Sequence, residues 1–244
     1  MKAVILAAGI ASRLRPLTDD TPKCLLKVGE KSILELTIDN IIANDIHDVI
    51  IVTGYLQEKI KNFVSNKYPD LNVTYIYNEV YESTNNIYSL WLTKESLSGD
   101  EMLLMDSDII FDKEIITKLL ASEYESCLAL KQHDVQDEEI KVKVNENGRV
   151  LEIGKEVPLQ DAIGESIGIE KFGAETLSQL FTIMDRKIVV EKNVNQFYEA
   201  AFQELADNGA NIYTVDTTDY ICMEIDTAAD LEAARLILLS QHKK

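Results

Sequence analysis

Apolar residues in the first half of the chain alternate between short continuous runs and segments where they recur every three or four positions. Lys2 to Ala8 is one such run and reads as a buried strand. DVIIVT, Asp48 to Thr53, is a second, stopped by Gly54; Val73 to Tyr77 and Glu101 to Met105 follow. Between them, Ile33 to Ala43 places Ile33, Leu34, Leu36, Ile38, Ile41 and Ile42 at helical spacing. Gln57 to Lys67 and Ile115 to Ala121 also predict helices, as does Asn86 to Leu97, whose apolar face is Ile87, Leu90, Trp91 and Leu92. Strand alternating with helix predicts an α/β fold: a doubly wound, mostly parallel sheet with helices on both faces. Such sheets bind ligands at the carboxyl ends of their strands. The loop after the first strand and the acidic DSD at 106–108 are therefore expected at one edge.

The second half is patterned differently. Cys127 to Lys131, Lys141 to Asn145 and Arg149 to Ile153 read as short strands, the last two joined through ENG as a hairpin. Ser166 to Lys171 is a further strand, followed by helices near 174–185 and 196–207. Strands at Ile212 to Val215 and Tyr220 to Ile225 lead to a closing helix, Thr227 to Ser240, with Thr227 as N-cap and Asp230 three residues on. No repeat, linker or low-complexity segment divides the chain. One domain over 1–244 with an inserted β-hairpin subregion is the economical reading.

Composition narrows the function classes. The 244 residues are 46% apolar, enough for one large core, and no stretch approaches the roughly 20 apolar residues that span a bilayer. The N-terminus has no charged region followed by a long apolar segment and cleavage site, so a soluble, cytoplasmic protein without membrane insertion is expected. Three cysteines, Cys24, Cys127 and Cys222, lie far apart without a CxxC, against a disulfide framework or a zinc site. The net charge of -18 argues against nucleic acid as a partner. An acidic protein can still bind a small anion where local cations or a divalent metal reverse its field. Arg13, Arg15 and Lys23 gather in one early loop and form such a reversal.

That loop is LAAGIASRLRPLTDDTPK, Leu6 to Lys23. Its small residues Ala7, Ala8 and Gly9 allow a phosphate to approach the backbone amides. It is neither a GxxxxGK[ST] loop nor a GxGxxG fingerprint. Over all eighteen residues it resembles the signature LAAGxGxRLxPLTxxxPK of the nucleotidyltransferases that make nucleotide sugars and CDP-alcohols. One position departs: Ala11 stands where the family usually has glycine. The resemblance implies a Rossmann-like fold of the nucleotide-diphospho-sugar transferase type. It also implies attack by a phosphate or phosphonate oxygen on the α-phosphorus of a nucleoside triphosphate, with pyrophosphate leaving. Leu6, Ala7, Ala8, Gly9, Ala11 and Ser12 then fall at the nucleotide. Arg13 matches the arginine that holds the departing phosphates, and Lys23 the lysine near the α-phosphate; Arg15 occupies a variable position.

The same resemblance assigns the acids. Asp106 and Asp108, at i and i+2 on a strand end, share a face. Asp108 matches a magnesium ligand, and Asp106 falls at the nucleotide. Asp226, in MEIDTAAD, matches the second magnesium element, with Glu224 beside it. Lys155, in EIGKEVP, resembles the lysine that meets the acceptor's phosphate and counts as catalytic and acceptor-binding. Thr84, Asn85 and Asn86 offer hydroxyl and amide groups suited to a pyrimidine edge, and equally suit capping of the next helix. With IGKEV and GESIGIEKF, this stretch looks closest to the phosphocholine and aminoethylphosphonate cytidylyltransferase branch. About 1–130 then forms the nucleotide half and about 131–244 the acceptor half.

For the acceptor, a choline group wants an aromatic box. The second half is short of candidates, Phe172, Phe181, Phe197, Tyr198, Phe202, Tyr213 and Tyr220, of which Tyr198 is taken as acceptor-binding, and Trp91 is expected in the core; this counts against phosphocholine and favours 2-aminoethylphosphonate or another amine. The acidic stretch DVQDEE, Asp134 to Glu139, reads first as a solvated loop and second as a carboxylate source for an ammonium. Glu165 is a further candidate. The expected partners are CTP or another nucleoside triphosphate and a small phosphate or phosphonate acceptor, with Mg2+ as cofactor. Self-association stays open, since nothing in the patterning marks an interface. Two other readings stand beside this one: a sugar-1-phosphate nucleotidyltransferase using UTP, dTTP or GTP, and a catalytically inactive nucleotide-binding regulator. The run MEIDTAAD in place of a WxDxGTP ending counts against the first, and the retention of Arg13, Lys23, Asp108 and Asp226 against the second.

Overall fold

A computed structural model describes residues 1–241. In chain order the first half holds β1 (Lys2–Ala7), β2 (Lys27–Val28), β3 (Lys31–Ser32), α1 (Ile33–Ala43), β4 (Asp48–Thr53), α2 (Gln57–Lys67), β5 (Asn72–Tyr77), α3 (Asn86–Trp91), β6 (Met102–Asp106), β7 (Ile109–Phe111) and α4 (Glu114–Ala121). The second half holds β8 (Cys127–Lys131), β9 (Lys141–Val144), β10 (Val150–Gly154), β11 (Gly164–Phe172), α5 (Ala174–Asp185), α6 (Glu199–Asp207), β12 (Tyr213–Asp216), β13 (Cys222–Glu224) and α7 (Ala228–Gln241).

Nine strands form one mixed sheet in the order β10-β9-β11-β6-β1-β4-β5, with β8 joined to β11 and β12 to β8. β1 lies between β4 and β6, parallel to both, so its carboxyl end opens at the sheet's centre. β11 runs antiparallel to β6, β8 and β9 and turns the sheet from its parallel half to its mixed half. The expected hairpin is β9–β10, and it extends the main sheet at its edge.

Strand residues alternate between two cores, as a pleated sheet covered on both faces requires. Val4, Leu6, Ile50, Val52, Met102 and Leu104 pack with α3, α5 and α6 on one face. Ala3, Ile5, Val49, Ile51, Leu103 and Met105 pack with α1, α2 and α4 on the other. A third, smaller cluster joins Leu14 of the opening loop and Leu26 just after it to Ile110, Ile225, and Leu231 and Ala234 of α7. That cluster pins the loop over the sheet edge.

Two expected elements differ. The helix predicted over 86–97 ends at Trp91, and a separate tight turn covers Lys94–Leu97. The Thr93 hydroxyl donates to the Leu90 carbonyl at 2.6 Å, a local bond that competes with helix continuation. The strand predicted over 220–225 contracts to Cys222–Glu224, which pairs with the unexpected β7. Trp91 is half-buried at the margin of the core, and its indole N–H donates to Asp185 at 2.9 Å. Among the described residues no helix is long and apolar enough to cross a membrane.

Candidate active site

A cavity of about 670 Å³ opens at the carboxyl ends of β1 and β6. Leu6, Ala7, Ala8, Gly9 and Ala11 line it from the opening loop, and Thr84, Asn85 and Asn86 from the start of α3. Asp106, Asp108, Glu224, Asp226, Lys155 and Glu165 line it too, and Glu165 is near enough to Glu224 for its charge to act there.

The opening loop is held from several sides. Leu14 is buried beneath it, the Thr18 hydroxyl donates to the Ala11 carbonyl at 2.9 Å, and the Tyr55 hydroxyl donates to the Thr18 and Asp19 carbonyls at 3.0 and 2.7 Å. Ala11 itself adopts a left-handed backbone, φ 53° and ψ 50°. Arg15 pairs with Asp19 at 3.4 Å and contributes nothing to the cavity wall. Ser12, expected at the nucleotide, is exposed in a tight turn and also lies off the wall. The turn Ser12–Leu14 places Leu14 inward and so carries Ser12 outward.

Acids separated by more than a hundred residues meet through the ribbon of β7 and β13. Glu224 is registered opposite Ile109, and the Ile225 N–H donates to the Asp108 carbonyl at 2.9 Å. Oxygens of Asp108, Glu224 and Asp226 consequently lie within 4.8 Å of one another. The Lys23 ammonium donates to Asp108 at 2.8 Å and Asp226 at 2.6 Å, and Arg13 donates to the other oxygen of Asp226 at 2.6 Å. Burial works against the Lys23 charge, but the two aspartates more than reverse that and raise its pKa. Asp226 is held below the usual carboxylate range by Lys23 and Arg13, although burial opposes them. Glu224, which gains no such bond, is pushed up to about 7 by burial and by Asp108 and Asp226. Three convergent carboxylates are a hard oxygen donor set that suits magnesium. The ammonium already seated between two of them marks where this cluster stabilises positive charge.

Asp106 sits one layer deeper. A Cβ at Gly168 would approach its Oδ2 to 2.7 Å, and Gly168 has φ +72°, so glycine is needed there on both counts. Tyr198 corrects the sequence-based expectation: it is fully buried, away from the cavity wall, and its hydroxyl donates to Asp106 at 3.0 Å. Burial of the ring between α6 and the sheet points it at the acid rather than at an acceptor. Glu170 and Glu199 complete a nest of acids here, and each has a buried Oε2 without a partner. Burial raises Glu199 to about 7, with its own backbone N–H and Lys155 opposing.

Asn85 caps α3, its side-chain oxygen accepting from the Asn86 N–H at 2.8 Å, while the Asn86 side-chain amide oxygen Oδ1 accepts from the Tyr198 N–H at 2.8 Å. The latter bond ties the two halves of the chain. Asn78, Tyr81 and Ser89 share this wall and were not singled out by the sequence. Asn78 donates to Thr84 at 3.0 Å and Ser89 at 3.1 Å, a polar network that only the fold assembles.

On the same wall, Lys155 pairs with Glu138 at 2.9 Å and lies 5.6 Å from the centre of the Phe197 ring. His133 approaches Glu139 at 3.0 Å and Glu165 at 3.7 Å. The fully buried Lys141 donates to the carbonyl of Asp137 at 2.8 Å, so the acidic loop is propped from below. Its residues Glu138 and Glu139 line the cavity. Lys131 lines it too and was also missed.

The chain matches the nucleotidyl transferase family over residues 2–220. It is 30% identical to the CTP:phosphoglutamine cytidylyltransferase of Campylobacter jejuni, over 95% of this chain and 98% of that protein. It is 28% identical to the choline-phosphate cytidylyltransferase of Streptococcus pneumoniae, over 99% and 100% respectively. The solved structure of a CTP:phosphocholine cytidylyltransferase from Streptococcus pneumoniae superposes with a TM-score of 0.79 at 25% identity, covering 97% of this chain and 98% of that one.

Proposed function

The chain belongs to the nucleotidyl transferase family, and from that membership we propose a magnesium-dependent cytidylyltransferase that joins CTP to a small phosphorylated or phosphonate headgroup. An acceptor oxygen attacks the α-phosphorus, a new phosphoanhydride bond forms, the bond from the α-phosphorus to the bridging oxygen breaks, and pyrophosphate leaves with the electron pair. The preference for CTP rests on the two relatives of similar length, both named for cytidylyl transfer.

The observation that carries the reading is the meeting of Arg13, Lys23, Asp108 and Asp226 at the end of β1. Both reactants are anions, so positioning and charge neutralisation dominate such a reaction. Arg13 holds the departing β and γ phosphates, and Lys23 neutralises charge at the α-phosphate. Leu6, Ala7, Ala8, Gly9 and Ala11 shape the nucleotide's bed, and Thr84, Asn85 and Asn86 face the base. Lys155 meets the acceptor's phosphate. Magnesium, held by Asp108 and Asp226 with Glu224 beside them, supplies charge neutralisation on the phosphates when bound. Residues 1–130 thus serve mainly the nucleotide and 131–244 mainly the acceptor, with Asp226 crossing between them.

Pyrophosphate release tests this. CTP, UTP, dTTP, GTP and ATP are each paired, with magnesium, against phosphocholine, phosphoethanolamine, 2-aminoethylphosphonate and glucose-1-phosphate. Turnover is expected with CTP and a small headgroup, and its loss in Asp108→Ala and Asp226→Ala. Turnover with the sugar phosphate would move the protein to the sugar branch. Nucleotide affinity that survives both substitutions without any turnover would favour a regulator.

A further inference from the structure

Four cations line the cavity: Arg13, Lys23, Lys131 and Lys155. Three of them are engaged by carboxylates, Arg13 by Asp226, Lys23 by Asp108 and Asp226, and Lys155 by Glu138. Lys131 is different. Among the described residues no carboxylate oxygen lies within 4.0 Å of its ammonium, whose one hydrogen bond is a long 3.4 Å contact to the Cys222 carbonyl. A half-buried lysine in a protein of net charge -18 does not lack acids to choose from.

Its position is fixed. Lys131 ends β8 and stands directly opposite Glu165 of β11 in antiparallel register. The two backbones are pressed together there: a Cβ at the adjoining Gly164 would meet the Lys131 carbonyl at 2.4 Å. Directly opposed residues project on one face, and both side chains line the cavity. A cross-strand lysine and glutamate normally close on each other. Here they stand side by side without pairing, and the Glu165 carboxylate has only His133, at 3.7 Å, within ion-pair range. Glu139 lies beyond the same histidine, at 3.0 Å from it.

We propose that Lys131 and Glu165 together read a zwitterionic acceptor, a phosphorylated or phosphonate headgroup bearing both an ammonium and a carboxylate, as an amino acid does. The inference rests on the cytidylyltransferase reading and names its acceptor class. Glu165 and Glu139 receive the ammonium, and Lys131 receives the carboxylate. A quaternary ammonium offers neither N–H donors nor a carboxylate. Phe197 is an exposed aromatic on the cavity wall, and Lys155 already faces it at 5.6 Å. A simple amine satisfies the acids and leaves Lys131 unmatched.

Matched pairs of acceptors isolate the carboxylate. O-phospho-L-serine and phosphoethanolamine differ by that group alone, as do 2-amino-4-phosphonobutyrate and 3-aminopropylphosphonate. The expected result is a kcat/KM for at least one amino acid that exceeds its decarboxylated partner by about 100-fold, the scale of one lost hydrogen bond to a charged group. Lys131→Met brings that ratio to near one, and Lys131→Arg restores part of it. Melting curves show whether each variant folds; should Lys131→Met fail, Lys131→Gln takes its place. Equal or better turnover of the decarboxylated partners, or a ratio indifferent to position 131, overturns the proposal. Silence with all four acceptors, while CTP and magnesium still raise the melting temperature, overturns it alone. Absence of any CTP binding removes the underlying reading with it.

Discussion

Ala11 holds a conformation that side chains rarely adopt, φ 53° and ψ 50°, at the one signature position where the resemblance expects glycine. The left-handed region brings a Cβ too close to the next carbonyl, a cost of roughly 1 kcal/mol or more for an L-residue. The loop keeps this shape because Leu14 is buried under it and Thr18 and Tyr55 bind its carbonyls. Ala11→Gly is therefore expected to stabilise the protein by about 1 kcal/mol, less the extra freedom glycine gives the unfolded chain. Urea unfolding would read this as a higher midpoint at unchanged slope, and a midpoint that falls would show the strain to be absent. The departure from the signature thus keeps the backbone geometry and carries a stability cost. The burial of Leu14 and the bond from Thr18 appear only once the loop is folded, and Tyr55 lies outside the eighteen residues, so the stretch alone does not say that alanine can hold the glycine conformation.

At the level of elements, the ribbon of β7 and β13 and the start of α7 decide where the acids stand. Asp230 accepts from the Thr227 N–H at 2.7 Å and the Asp226 N–H at 3.1 Å, and its own N–H donates to the Thr227 hydroxyl at 3.2 Å. This is a capping box that also fixes the backbone of a proposed metal ligand. Asp230→Ala should cost about 1 kcal/mol of stability, as lost caps do. It should also weaken magnesium-dependent turnover roughly 10-fold, through looser placement of Asp226. Thermal melts and a magnesium titration of rate check the two parts; normal magnesium dependence in a destabilised variant would confine Asp230 to capping. The cap was legible, because Thr227 and Asp230 stand before an apolar run. So were β4, α1, α2 and β8, whose bounds follow periodicity. The ribbon was not: Ile109–Phe111 is three residues long, and its partner lies over a hundred residues away. Lys131 was invisible for the same reason, since only strand register sets it beside Glu165. Tyr198 was misplaced because an aromatic among other aromatics gives no sign of the direction in which it points.

On the scale of the whole molecule, an acidic chain gathers carboxylates under and around one cavity, and they do not all ionise at equal cost. Glu199 stands where the two halves meet, with a buried, unpartnered Oε2. The Lys155 charge favours its ionised form and Glu224 opposes it, and Asp106 and Glu170 of the sheet feel its charge in turn. Burial is the largest of the influences that raise it to about 7, against an ordinary value of 4.5. Between those two values the folded protein holds a proton that the unfolded chain has released. Stability contributed by the neutral form is then fully present below about pH 4.5 and is lost as pH rises through about 7. The shift corresponds to a ceiling on the order of 3 kcal/mol, at 1.36 kcal/mol for each unit of pKa. Glu199→Gln keeps the shape and removes the charge. It is expected to raise the melting temperature at pH 8 and leave it nearly unchanged at pH 4.5. An equal effect at both pH values would assign the change to packing instead. If the rise is confined to high pH, the acid-rich cavity is carried at a cost in stability. A cationic ligand would offset that cost on binding, so the same acids that lower stability when ionised are the ones that would select what binds among them.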